Sequence, residues 1–209
     1  MHPYQSRETW QIRKPVVRNT RGLSSTQHYL ASEVGAGVLG DGGNAMDAAI
    51  AAGLALGVVE PWMSGIGGGG FLQFYDAATG TVHGIDCAMQ APSGLDPGDY
   101  PLSEGTNAGD KFNWPTVFED RHTTGPYSIA TPGYLAGAKM ALERFGTGSW
   151  ADVMAPSLEL VRFGLPLDWY ASHKIANSAR DLTRFPASRQ MYLPDDLPPV
   201  GPVSGLIQG

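Results

Sequence analysis

The chain has 209 residues, 42% of them apolar and only 16% charged, which is enough apolar material for a buried core and too little charge for a disordered chain. Its net charge of −6 argues against a nucleic-acid partner and against an anionic membrane surface. Sixteen prolines and 28 glycines predict short elements joined by tight turns, and the single cysteine, Cys87, excludes an internal disulfide.

The charge is unevenly spread. Five of the 14 cations (Arg7, Arg13, Lys14, Arg18 and Arg21) fall within the first 21 residues, and none follows from Gly22 through Asp110. Residues 1–21 read as a solvated basic arm, and an anion meeting residues 22–110 finds no fixed positive charge there. The longest apolar run, Ala45 to Val59, contains Asp47 and is too short to span a bilayer; the basic start leads into polar residues and not into an apolar signal core. A soluble, cytoplasmic protein is expected, with no membrane partner.

In chain order, Ser24, Ser25 and Thr26 are N-cap candidates for a helix over Gln27 to Leu39, where Leu30, Val34 and Val38 recur on one face. Gly40 to Gly43 interrupt it. An Ala-rich helix follows from Asn44 to Val58, whose small side chains predict close neighbours and burial, and Glu60-Pro61 ends it. After Ser64 to Gly70, the runs Phe71 to Asp76 and Thr81 to Asp86 flank a Gly-bearing turn and predict an antiparallel hairpin. Ala91 to Pro132 reads as loop. Helical patterning returns at Gly133 to Phe145, Trp150 to Phe163 (with Pro156 inside) and Asp168 to Thr183, and beyond Phe185 the text is Pro-rich.

Three clusters invite chemistry. Gly65 to Gly70 fits G-x-G-x-x-G, but it follows a helix and precedes a strand, whereas dinucleotide binding needs the glycines to open a helix over the pyrophosphate. The bland reading, glycines allowing positive φ and close backbone approach, is preferred. Glu119, Asp120 and His122 match no defined metal-ligand spacing and read as a solvated loop. Cys87, at the end of a β run, reads as a small buried hydrophobe and not as a nucleophile. His28 and His83 lie in patterned segments, and no histidine forms a visible triad with a serine and an acid.

The run Leu39 to Ala49 (LGDGGNAMDAA), then Val58-Val59-Glu60-Pro61, Ser64 to Phe71, Thr131-Pro132-Gly133, Phe145-Gly146, Trp150 and Ala155-Pro156, resembles the large subunit of γ-glutamyltranspeptidases, from about Lys14 to Pro202. The resemblance implies an α+β fold, the four-layer αββα sandwich of N-terminal-nucleophile hydrolases, of which residues 22–209 would be the large-subunit part. It also implies a precursor that cuts itself, freeing a threonine that attacks an amide and passes the acyl group to water or an amine. No catalytic residue is expected within this chain; the threonine would come from a small subunit, giving a heterodimer or a dimer of such heterodimers. No cofactor or metal is implied.

One block departs from the family pattern. In γ-glutamyl enzymes an Asp-x-Arg-Glu-x-Ala-Pro block places its arginine on the substrate's α-carboxylate, and here it reads Asp86-Cys87-Ala88-Met89-Gln90-Ala91-Pro92. Asp86, Ala88, Met89 and Gln90 are the expected substrate-pocket residues, with Ala88 at the arginine position and Met89 at the glutamate position. Losing a bidentate guanidinium leaves a bound carboxylate unpaired. The expectation is an amide hydrolase with an altered acyl pocket, acting on a small amide such as oxamate. A γ-glutamyl hydrolase or transferase held by a cation from elsewhere, and a non-catalytic binding relative, are the alternatives.

Overall fold

A computed structural model describes residues 16–106, 112–165 and 167–199. The first 15 residues of the expected basic arm therefore lie outside the described residues, while positions 16–21 are exposed. The chain order is α1 (Tyr29–Gly40), α2 (Ala45–Val59), β1 (Gly70–Asp76), β2 (Thr81–Cys87), β3 (Leu102–Thr106), β4 (Pro115–Val117), α3 (Tyr134–Phe145), α4 (Trp150–Phe163), α5 (Trp169–Leu182) and α6 (Pro186–Tyr192).

Helix α2 is the centre of the molecule. Met46, Ile50, Ala51 and Leu54 face one apolar cluster with α3, α4 and the inner side of β2, while Ala55 and Val59 face a second with α1 and α5. A helix buried on opposite sides needs small residues wherever a neighbour comes close, and that is the reason for its alanines. At Gly53 an added Cβ would lie 2.5 Å from the Tyr134 hydroxyl. Burial there, with a further contribution from nearby Cys87, pushes the Tyr134 phenol up to about 12, so it stays neutral.

The N-terminus of α2 is tied into the rest of the chain. Asn44 Oδ1 accepts from the amides of Met46 (2.9 Å) and Asp47 (3.0 Å), and Asp47 Oδ2 reaches back to the Asn44 amide at 2.8 Å, a reciprocal capping box. Asp47 is 1% exposed. It also accepts from Thr147 N (2.9 Å), Thr147 Oγ1 (2.5 Å) and Gly148 N (3.0 Å), and Asn44 Nδ2 donates to Phe145 O at 2.7 Å. Burial alone would raise the Asp47 carboxyl, but the donors from Thr147, Asn44 and Gly148 outweigh it and hold it below the usual carboxylate range.

β1 and β2 form a two-stranded antiparallel sheet pairing Phe71 with Asp86 and Tyr75 with Val82. The side chains of Leu72, Phe74 and Ile85 pack toward the helices, whereas Phe71, Tyr75 and Val82 on the other face are 78%, 63% and 65% exposed. The described residues thus supply helices packed on one face of the β1–β2 sheet, whose other face exposes these apolar side chains.

Four local expectations are corrected. The α1 cap is His28, not Ser24, Ser25 or Thr26: its Nδ1 accepts from Leu30 N at 3.2 Å, while Thr26 Oγ1 is spent on His28 O and Ser32. Burial, partly offset by the Asp168 charge, lowers the His28 pKa and keeps that nitrogen free to accept. Residues 91–132 are not all loop, because β3 and β4 pair there as a short, irregular hairpin. The text after Phe185 contains α6, with Pro186 at its first position, where a missing amide costs nothing. The glycine run has no residue at positive φ; its demand is for close approach, tightest at the half-buried Gly69.

Candidate functional site

Residues 86–90 leave the end of β2 as an extended segment whose backbone is gripped from three sides. Asp86 Oδ1 accepts from the Ala88 amide at 3.0 Å and fixes the turn at the strand end. Gln90 and Thr131 form a two-way bridge, Gln90 N to Thr131 O at 3.1 Å and Thr131 N to Gln90 O at 2.8 Å. The Cys87 thiol donates to Gly70 O at 3.1 Å, which ties the segment to the start of β1.

Three glycines make that grip possible. A Cβ on Gly69 would sit 2.6 Å from Met89 N and 2.7 Å from Cys87 O; one on Gly133 would sit 2.4 Å from Cys87 O; one on Gly137 would sit 2.4 Å from Cys87 Cβ. None of these distances is compatible with a side chain, so the segment is wedged between the glycine loop and the N-terminal turn of α3. Gly68 O then accepts from both Gly133 N and Tyr134 N at 3.1 Å, satisfying two of that helix's free amides.

A hollow of about 230 Å³ opens over this segment, lined by Asp86, Ala88, Gln90, Thr131, Ala136 and Met140 among others. Every residue from Ile85 to Ala88 borders it, together with Gln90. Met89 is not among the lining residues and is 55% exposed. Among the described residues, no Lys, Arg or His lines the hollow. A larger hollow of about 880 Å³ between α1 and α4 is edged by the exposed carboxylates Glu33, Asp41, Asp152 and Glu159, with Asp47 and Thr147 also in its lining.

Of the other clusters singled out in the sequence, Gly65–Gly70 lead into β1 and no helix, so the dinucleotide geometry is not formed. Glu119 pairs with Arg121 at 3.0 Å, and Arg184 approaches Asp120, so that loop is an ion-paired surface; among the described residues no group of three His, Cys, Asp or Glu could hold a metal. Cys87 is half-buried. Sequence reasoning missed Gly69, Gly133 and Gly137 as the clamp. Thr131-Pro132-Gly133 was a visible block, but its partner Gln90, bridged to Thr131, was not visible.

A family model described as gamma-glutamyltranspeptidase matches residues 31–203. The chain is 41% identical over 177 residues to a glutathione hydrolase proenzyme of Bacillus subtilis (strain 168), covering 85% of this chain and 28% of that protein. It is 38% identical over 187 residues to Acylase ACY 1 proenzyme of Pseudomonas sp. (strain V22), covering 89% of this chain and 32% of that one. Helicobacter pylori gamma-glutamyltranspeptidase has the same fold at a TM-score of 0.80 and 27% identity, over 92% of this chain and 52% of that structure. The fold is that of an N-terminal-nucleophile hydrolase, in the α+β class read from the sequence. The chain belongs to the gamma-glutamyltranspeptidase family, and it spans less than a third of these two curated relatives.

Proposed function

We propose that this chain is large-subunit sequence of a self-processing amide hydrolase whose acyl pocket does not take the α-carboxylate of a γ-glutamyl group. The nucleophile in this reading is a threonine of a second subunit. It attacks the amide carbonyl, the amine leaves, and water or an acceptor amine releases the acyl group. The relatives named as proenzymes, one a glutathione hydrolase and one an acylase, support self-processing and two kinds of substrate. The observation that carries the substrate reading is the hollow itself: Ala88 stands at the position where the family pattern has arginine, and among the described residues no cation lines the space around it. A carboxylate entering it would lose water without gaining a charged partner.

Two acyl types escape that penalty. One is too short to reach residue 88, as in oxamate; the other is longer with an uncharged far end. Steady-state assay of the complete, processed enzyme separates these from the alternative. The proposal expects weak turnover of a γ-glutamyl anilide beside better turnover of an uncharged acyl anilide or of oxamate; efficient hydrolysis of glutathione would refute it. The alternative, a γ-glutamyl hydrolase with its cation supplied by the second subunit, is favoured by the identity to the Bacillus subtilis glutathione hydrolase proenzyme.

The same reading assigns the apolar outer face of β1 and β2 (Phe71, Tyr75, Val82) to the second subunit. Tyr75→Lys is expected to weaken subunit association in analytical ultracentrifugation. An isolated chain that is a stable, active monomer would contradict the assignment.

A further inference from the structure

Among the described residues the hollow has no cation, but it does have polar groups. Gln90 and Thr131 oppose each other through the two backbone bonds of 3.1 and 2.8 Å, and residues opposed in an antiparallel pair project to the same side. Both line the hollow with Ala88, Ala136 and Met140. Their backbones are held while their tips are not: among the described residues neither the Gln90 carboxamide nor the Thr131 hydroxyl makes a hydrogen bond. The result is one amide and one hydroxyl side by side, on a fixed frame, bordered by small apolar groups. By contrast, Asp86, the other polar group here, is engaged by the Ala88 amide.

We propose that Gln90 and Thr131 are specificity-determining residues that read the far end of the acyl group, selecting a neutral donor–acceptor group, above all a primary carboxamide, over a carboxylate. The proposal rests on the amide-hydrolase reading above and names the substrate class within it. Two carboxamides can pair head to tail, each donating one N–H to the other's oxygen, and the Thr131 hydroxyl can then complete the remaining donor or acceptor. A carboxylate has only acceptors. Placed against Gln90 it takes one N–H and sets its second oxygen against Oε1, and no lining residue offers a charge in compensation. An alkyl end would leave both polar tips unpaired.

The test uses the complete, processed enzyme and three p-nitroanilides of matched shape: glutaramoyl (far-end carboxamide), glutaryl (far-end carboxylate) and 5-methylhexanoyl (far-end alkyl). The wild-type enzyme is expected to favour the carboxamide over each of the others by about tenfold in kcat/KM, the effect of roughly one well-made hydrogen bond. Gln90→Leu should bring the carboxamide-to-alkyl ratio close to one, Thr131→Val should lower it by a smaller factor, and Gln90→Lys should invert the carboxamide-to-carboxylate order. Each value is a ratio within one variant, so a general loss of activity cancels. Turnover of all three anilides without preference, or a carboxamide preference that survives Gln90→Leu, overturns this assignment alone. Turnover of none of them overturns the hydrolase reading and this assignment with it.

Discussion

Asp47 and Asp86 are both aspartates next to a turn, yet the chain treats them in opposite ways. Asp47 is sealed at 1% exposure and accepts from four donors on two separate segments, so its whole capacity is used within the fold. Asp86 is exposed and spends one oxygen on the Ala88 amide, and the segment it starts has a fixed backbone with open side chains. Where side chains consume each other's hydrogen bonds, the chain is building structure. Where only the backbone is consumed, as at Ala88, Gln90 and Thr131, it is presenting side chains to something else.

The largest effect that can break this contrast is on Asp47. Asp47→Ala would leave the part-buried amides of Asn44, Thr147 and Gly148 without their acceptor and should cost about 3–5 kcal/mol in denaturant unfolding, against a far smaller change for Asp86→Ala. The Asp47 pKa is lowered in the folded chain, so its contribution is complete above the ordinary carboxylate value and is lost as pH falls through the folded value. Asp47→Asn should flatten that acid limb of the stability profile; an unchanged limb would remove Asp47 from the account.

Next in size is the clamp. Gly133→Ala puts a Cβ 2.4 Å from the Cys87 carbonyl oxygen, where only backbone movement can relieve it. The expected cost is about 1–3 kcal/mol, and kcat/KM should fall further than stability predicts if residues 86–90 border the acyl pocket as proposed. Gly67→Ala, with nothing within 4 Å, is the control and should stay within about 0.5 kcal/mol. Equal losses at both positions would mean that the clamp is not specific.

The smallest effect is at the start of α1. His28→Ala removes a side-chain cap and should cost about 0.5–1 kcal/mol by thermal unfolding. Because burial lowers the His28 pKa in the fold, the wild-type chain should lose stability as pH drops below the ordinary value of 6.5, and the Ala variant should lose less over that window. The reverse ordering would show that the imidazole is protonated in the cap.

These residues also mark how far the sequence could be read. Helix α2, the β1–β2 hairpin and the helices α3 to α5 were legible because each carries its own pattern: Asn44 and Asp168 as caps, a Gly-bearing turn at Ala77 to Gly80, and Gly146 and Gly164 as stops. Asp47 was visible only as an interruption of an apolar run, since its partners Thr147 and Gly148 lie 100 and 101 residues away. The β3–β4 hairpin was illegible for a different reason: β3 is exposed throughout and has no buried face to impose alternation. The prolines near α6 masked a helix that one of them starts. At the site, the missing arginine could be read directly at Ala88, whereas the glycine clamp and the Gln90–Thr131 pairing exist only once the chain has folded.

Whether Ala88 turns the pocket away from α-carboxylates is decided by kcat/KM for a γ-glutamyl anilide, measured on the complete enzyme before and after Ala88→Arg. Met89 is not a lining residue of the hollow, so the single substitution is the cleaner probe, with Met89→Glu added as a second variant. If the pocket lacks only its cation, Ala88→Arg should raise the value at least tenfold, about 1.4 kcal/mol of transition-state stabilisation, while lowering turnover of an uncharged acyl anilide. A wild-type enzyme already efficient on the γ-glutamyl substrate, and slowed by Ala88→Arg, would contradict the account and place the carboxylate's partner outside this chain.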